Sequence, residues 1–256
     1  MSKKLISLIF FLIPLIFAIN LHSVITDGEK LTFTIKYGII NAAEATLEIK
    51  STKLDDTPVW KITSNARTYP FFDSVFKVRD VVESWWEKEN LRTLCFSKRL
   101  NEGTYKQYRV QTYDHNKKTA IYKRWNFKKG TFKTKEVPIP ANTQDILSAF
   151  YYVRQQDLYP GKNVLVDIST DGESYRTQVV IHRRETIDSI FGKKQCLVIE
   201  PQLKSEAIFK QSGRILIWIT DDPYKIPLKL TSQITFGAFT AVLKSAENVP
   251  YPIVND

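Results

Sequence analysis

The chain has 256 residues, with 37 Lys+Arg against 27 Asp+Glu, a formal net charge of +10, two Cys and one Met. That length suits one large domain or two small ones and can bury about 70–75% of its unfolded surface. The 43% hydrophobic and 25% charged fractions exclude intrinsic disorder. Two cysteines exclude a disulfide-dense scaffold and the sulfur-rich sites of zinc fingers and iron–sulfur clusters, and none of the 9 Gly forms a G-x-G-x-x-G or P-loop arrangement.

In chain order, the first element is a leader. Lys3 and Lys4 precede an apolar run, Leu5 to Ile19, broken only by Ser7 and Pro14. This matches a secretory signal peptide over residues 1–23, with Leu21-His22-Ser23 before the cleavage site. The alternative is an uncleaved anchor helix, but the run is shorter than the ~20 residues a bilayer span needs. Residues 24–256 are then expected to form a single β-rich domain exported to the periplasm or cell envelope, with no stable transmembrane anchor. Losing Lys3 and Lys4 lowers the charge from +10 to about +8. In that compartment the expected partner of a basic surface is a lipid-like or anionic envelope component, not nucleic acid.

Beyond the leader, a period of two dominates. Leu31, Phe33, Ile35 and Tyr37 alternate with Lys30, Thr32, Thr34 and Lys36, a half-buried strand. The same alternation recurs at Ala45–Ile49, Trp60–Ser64, Phe76–Val82, Tyr105–Arg109, Leu165–Ser169, Tyr175–Ile181, Ile215–Ile219 and Leu228–Ile234. Hairpin punctuation falls at Asn101–Gly103, Lys129-Gly130, Asp171-Gly172, Phe191-Gly192 and Ser212-Gly213. The predicted class is mostly β, a large curved antiparallel sheet or two half-barrel sheets.

One segment breaks this rhythm. After Pro138-Ile139-Pro140, residues Ile146, Ala149, Phe150 and Val153 fall at helical spacing, with Asn142 or Thr143 as cap and Asp145 in the first turn. A single central helix is predicted at about 143–156, ended by Pro160-Gly161. It divides an N-terminal from a C-terminal strand set and covers the inner face of a sheet too large to lie flat.

Residues able to carry chemistry are few. Apart from His22 in the leader, the histidines are His115, in a turn, and His182, beside Arg183-Arg184. Neither has a partner at metal-ligand spacing, and H-E-x-x-H and G-x-S-x-G are absent. No catalytic residue, metal site or cofactor is therefore assigned. Cys95 and Cys196 either form one disulfide, worth about 4–5 kcal/mol on the chain-entropy model, or sit apart as buried thiols. Arg79, Asp80, Asp145, Arg154 and Asp222 are the positions where polar groups are expected to matter, first through ion pairing or capping. Asp221-Asp222-Pro223 reads as a turn. Trp85-Trp86 places two rings on opposite faces of one strand, so at least one can face a ligand. The binding candidates are thus Arg79, Asp80, Trp85, Trp86, Asp145, Arg154 and Asp222.

Four blocks carry a family resemblance. They are Asp27–Leu47 (DGEKLTFTIKYGIINAAEATL), Asp145–Arg154 (DILSAFYYVR), Gly192 with Cys196–Pro201 (CLVIEP), and Gly213–Pro227 (GRILIWITDDPYKIP). Together they resemble bacterial exported proteins grouped as domain of unknown function 3108, from about Gly28 to Leu243. Where relatives often carry Ala-Gly after the first strand, this chain has Ala42-Ala43. The resemblance implies an exported, β-rich envelope protein of no established activity and supplies no catalytic residues. Three readings follow. One is a non-enzymatic protein binding a lipid-like or apolar envelope component in its curved sheet. The second is a carbohydrate-binding or carbohydrate-active protein using Trp85, Trp86 or Trp125 beside Asp80. The third is a structural partner in an envelope assembly.

Overall fold

The computed structural model describes residues 25–202, 212–234 and 237–254, so the predicted signal peptide lies outside the described residues. Eight strands form the N-terminal set: β1 (Lys30–Tyr37), β2 (Ile40–Leu54), β3 (Thr57–Thr68), β4 (Arg79–Glu87), β5 (Thr93–Glu102), β6 (Tyr105–Asp114), β7 (Thr119–Asn126) and β8 (Thr131–Pro138). Six follow: β9 (Asn163–Thr170), β10 (Glu173–Ile187), β11 (Lys194–Gln202), β12 (Ser212–Thr220), β13 (Pro227–Ile234) and β14 (Ala238–Glu247). A short helix α1 (Pro70–Asp73) links β3 to β4, and α2 (Ile146–Arg154) links the two sets.

All fourteen strands belong to one antiparallel sheet, in the order β8-β7-β6-β5-β4-β3-β2-β1-β14-β13-β12-β11-β10-β9. The two sets are thus two up-and-down meanders fused where β1 pairs β14, Lys30 opposite Glu247 and Tyr37 opposite Phe239. Bulges at Thr32/Phe33 and Ile35/Lys36 bend this central strand. The sheet curls but does not close, because β8 and β9 stay unpaired with each other. Gln144 covers part of the β9 edge instead: its N–H donates to Asp167 O at 2.9 Å and its carbonyl accepts from Ser169 N at 2.8 Å. The β8 edge is exposed from Thr131 to Glu136 and carries Lys133, Lys135 and Glu136, charges that oppose pairing with another chain.

The curl is driven by what each face must bury. Leu31, Ile49, Ile62, Trp86 and Phe96 point inward from β1 to β5 and are essentially inaccessible; Val166, Ile181, Ile199 and Ile219 do the same from the C-terminal set. Helix α2 fills the space between. Its Ala149 and Val153 pack on Val164, Val166 and Ile168. Its Tyr151 packs on Ile49, Ile62 and Trp86 across the fold.

Several local expectations need correction. The helix runs Ile146–Arg154, not 143–156, because Asp145 is itself the cap, in extended conformation at φ −90 and ψ −177. Ser212-Gly213 opens strand β12 and is not a turn. Phe76, expected in a strand, follows α1 in the connection to β4, where Pro70 sits in the first turn of α1 and starts a helix that alternation could not reveal. Asp171-Gly172 is the expected tight hairpin, with φ of 54 and 81.

Candidate functional site

The site is built around α2, and α2 is fixed at both ends by buried polar groups. At its start the Asp145 carboxylate accepts from four donors: Leu147 N (2.7 Å), Ser148 N (3.0 Å), Ser84 Oγ of β4 (2.5 Å) and Thr93 Oγ1 of β5 (2.9 Å). Asp145 N–H in turn donates to Ser148 Oγ at 2.9 Å, completing a capping box. Burial pushes the Asp145 carboxyl above its usual range, against the hydrogen bonds that favour its charge. At the helix end, Arg154 grips Glu29 with two bonds of 2.6 and 2.7 Å and donates to Tyr224 O at 3.0 Å. Tyr151 Oη donates to the same Glu29 oxygen at 3.2 Å. Both ion-pair partners are out of solvent, at 0% and 1% exposure.

Between helix and C-terminal sheet lies an apolar cavity of about 190 Å³. Ile146, Ala149, Phe150 and Val153 form its helical wall, and side chains of β9 to β13 form the other. Thr177 is its one polar lining residue, and its hydroxyl already donates to Gln202 O. A second, mainly apolar space of about 290 Å³ also borders Phe150, against Phe33, Leu47 and Ala241, with Thr46, Ser64 and Lys229 in its wall. Phe150, Ile217 and Leu230 line both, so the two lobes share a wall.

The interior under β5 to β8 is different in kind. The β9–β10 turn inserts there, and Asp171, 1% exposed, meets Lys98 Nζ at 2.5 Å and Arg109 Nη1 at 2.8 Å. Gly172 lies against the Tyr122 ring, where a Cβ would approach to 2.8 Å, and its N–H donates to Gln111 Oε1. Only glycine fits that approach at positive φ. One half of the interior thus holds buried charges and polar side chains, and the other an apolar cavity.

The predicted site residues do not converge. Asp145 and Arg154 hold the two ends of α2. Arg79 pairs with Asp73 through bonds of 3.0 and 2.5 Å beside α1. Asp80 accepts from Asn101 N at 2.9 Å, and burial together with its charge pushes the Glu102 carboxyl upward. Asp222 caps its turn by accepting from Thr220 Oγ1, Tyr224 N and the Tyr251 hydroxyl. Trp86 is wholly buried, while Trp85 lies on the outer face under Lys61 Nζ, 5.1 Å from its ring. The cysteines are free thiols on β5 and β11, strands far apart in the sheet order, so the disulfide alternative is not adopted. Burial pushes their pKa values up to about 11 and about 12, which leaves neither nucleophilic at neutral pH. Among the described residues no group of three or more His, Cys, Asp or Glu could hold a metal ion, and no helix is long and apolar enough to cross a membrane.

Sequence reasoning missed Glu29, Phe150 and Asp171. Glu29 sits in a polar turn-like stretch 125 positions from Arg154, and no periodicity links them. Asp171 was legible as a turn residue but not as a buried anion.

His115 supplies a pH test of this packing. Its Nε2 lies 2.6 Å from Thr93 O, and its Nδ1 is buried without a hydrogen-bond partner. Burial holds its pKa below 6.5, aided by the Arg92 charge and opposed by the Thr93 bond. A pKa depressed by folding contributes stability that is complete above pH 6.5 and lost as pH falls through the folded value. In a series of melting curves, His115→Gln should flatten the loss just below pH 6.5; an unchanged pH profile would contradict the assignment.

The family described as protein of unknown function DUF3108 matches residues 32–244. The chain belongs to the DUF3108 family. No curated protein matches it. Among solved structures, this DUF3108 chain is similar to a β-barrel-like protein of domain of unknown function DUF1849 from Brucella abortus, with TM-score 0.55 and 8% identity over 87% of this chain and 98% of that one. That likeness is one of fold. A candidate exported protein of YmcC-like fold from Bacteroides fragilis aligns with TM-score 0.31 and 8% identity, over 86% and 96% of the two chains. A candidate lipoprotein from Parabacteroides distasonis aligns with TM-score 0.29 and 9% identity, over 87% and 96%.

Proposed function

We propose that this DUF3108 protein is a non-enzymatic, exported envelope protein that binds an acyl chain or similar apolar group between α2 and the curved sheet. The observation that carries this reading is the two-lobed apolar space around Phe150, of about 190 and 290 Å³. Such volumes approach the roughly 300–1,000 Å³ of small-molecule sites. Voids of this size forfeit dispersion contacts that a packed core would make, and a chain-like ligand would restore them. The one polar residue lining the smaller lobe, Thr177, already spends its hydroxyl on Gln202 O, and Trp86, one of the rings considered for stacking, is buried. The signal-like leader and the net positive charge support export to a compartment rich in anionic lipid.

Titration with a fluorescent polyunsaturated fatty acid tests the reading. Saturable binding is expected, and Ala149→Phe, which projects a ring into the smaller lobe, should weaken it ~10-fold or more while the melting temperature holds or rises. Equal binding by the two proteins, or none by either, would remove the cavity as the site.

A further inference from the structure

In an antiparallel meander, alternate turns lie at opposite ends of the sheet. At one end of β1–β8 are the β1–β2 turn, the α1 connection, the β5–β6 turn and the β7–β8 turn. This rim is apolar at its tips: Ile39 is 97% exposed, Val75 79% and Phe71 78%, with Phe76 and Phe127 also exposed. The turns at the other end, residues 55–56, 88–92 and 115–118, carry no exposed large hydrophobic residue. Within the β1–β8 meander one end is therefore polar and the other an apolar rim, a clustering that scattered surface hydrophobics do not explain.

Cations are interleaved with these tips. Lys77, Lys106, Lys128 and Lys129 are exposed at the rim, and none makes a salt bridge among the described residues. The Asp73 carboxylate there is tied to Arg79, and Glu102 faces Asp80. Apolar tips ringed by free ammonium groups match the interfacial zone of an anionic bilayer, where side chains enter the acyl boundary and lysines meet phosphates. The tips stand on separate hairpins, two strand spacings or roughly 10 Å apart. A fluid bilayer accepts separate insertions, whereas a protein partner needs one continuous packed face.

We propose that this rim docks tips first on an anionic lipid bilayer, with Ile39, Phe71, Val75 and Phe127 inserted and Lys77, Lys106, Lys128 and Lys129 on headgroup phosphates. Residues lining the 190 Å³ cavity, Thr177, Ile199, Pro201 and Ile215, lie in the halves of their strands nearer this same end. Docking does not depend on the cavity being filled.

Cys196 is buried, and with the half-buried Cys95 replaced by Ser an environment-sensitive fluorophore can be placed on a single introduced cysteine of the full chain. On vesicles of phosphatidylglycerol and phosphatidylethanolamine, the probe at Val75→Cys should brighten and shift to the blue, while that at Asn116→Cys, on the polar end, stays unchanged. Phosphatidylcholine vesicles or 0.5 M salt should weaken the response ~10-fold. Adding Phe71→Ser and Phe127→Ser should weaken it at least ~10-fold with the melting temperature intact. Ala149→Phe should leave it unchanged, which separates this proposal from the cavity reading. Equal responses at both ends, or none at Val75→Cys, would overturn the bilayer assignment, and silence at Val75→Cys would point to a protein partner. Insensitivity to lipid charge would overturn the role of the lysines.

Discussion

Replacing Arg154 by alanine is expected to cost about 3–5 kcal/mol, because it leaves the Glu29 carboxylate buried and uncompensated. Glu29 accepts both Arg154 bonds and the Tyr151 hydroxyl, so the loss also strands a tyrosine that packs on Ile49, Ile62 and Trp86. Urea titration followed by tryptophan fluorescence gives the measurement. The control is the double variant Glu29→Met with Arg154→Met, which removes both charges at similar volume. It should recover most of the loss, since replacing a buried pair by apolar groups is often near neutral. A loss under about 1 kcal/mol for Arg154→Ala would show that the pair does not hold the helix end.

Asp145→Ala is the second large effect, about 2–4 kcal/mol, combining a lost helix cap with the Ser84 hydroxyl left unsatisfied in the interior, while Thr93 Oγ1 keeps only Ser148 Oγ and the residue-145 N–H. Asn at 145 keeps an oxygen for Leu147 N and Ser148 N and should cost less than half as much. The pH dependence distinguishes the two. Since burial raises the Asp145 pKa, the folded state binds this proton more readily than the unfolded chain. Its contribution therefore grows as pH falls from the folded value toward 3.8, and Asp145→Asn should lack that increment. An Asp145→Asn chain whose acid limb superimposes on the parent's would contradict it.

Both residues were visible in the sequence, but their partners were not. Alternation along Leu31–Tyr37 and Tyr175–Ile181 is a local signal and survives into β1 and β10 because each strand has one face inside. Helical spacing at Ile146, Ala149, Phe150 and Val153 survives for the same reason. The pairing of Arg154 with Glu29, and of Asp171 with Lys98 and Arg109, arises only once the sheet curls, and curvature set by bulges and a fused β1–β14 seam has no local code. The cavity is less legible still: it is a space that Phe150 and Ala149 leave unfilled, and no residue type announces a void. Residues such as Trp86 illustrate the converse, since a ring on a strand reads alike whether it faces a ligand or, as here, the core.

On the reading proposed above, the space around Phe150 holds an apolar chain. Native mass spectrometry of the protein purified from envelope, with lipid extraction of the same sample, tests it most directly. An acyl-bearing species is expected to leave with denaturation and to be depleted in Ala149→Phe. A mass equal to the bare polypeptide, with no acyl species in the extract, would contradict it.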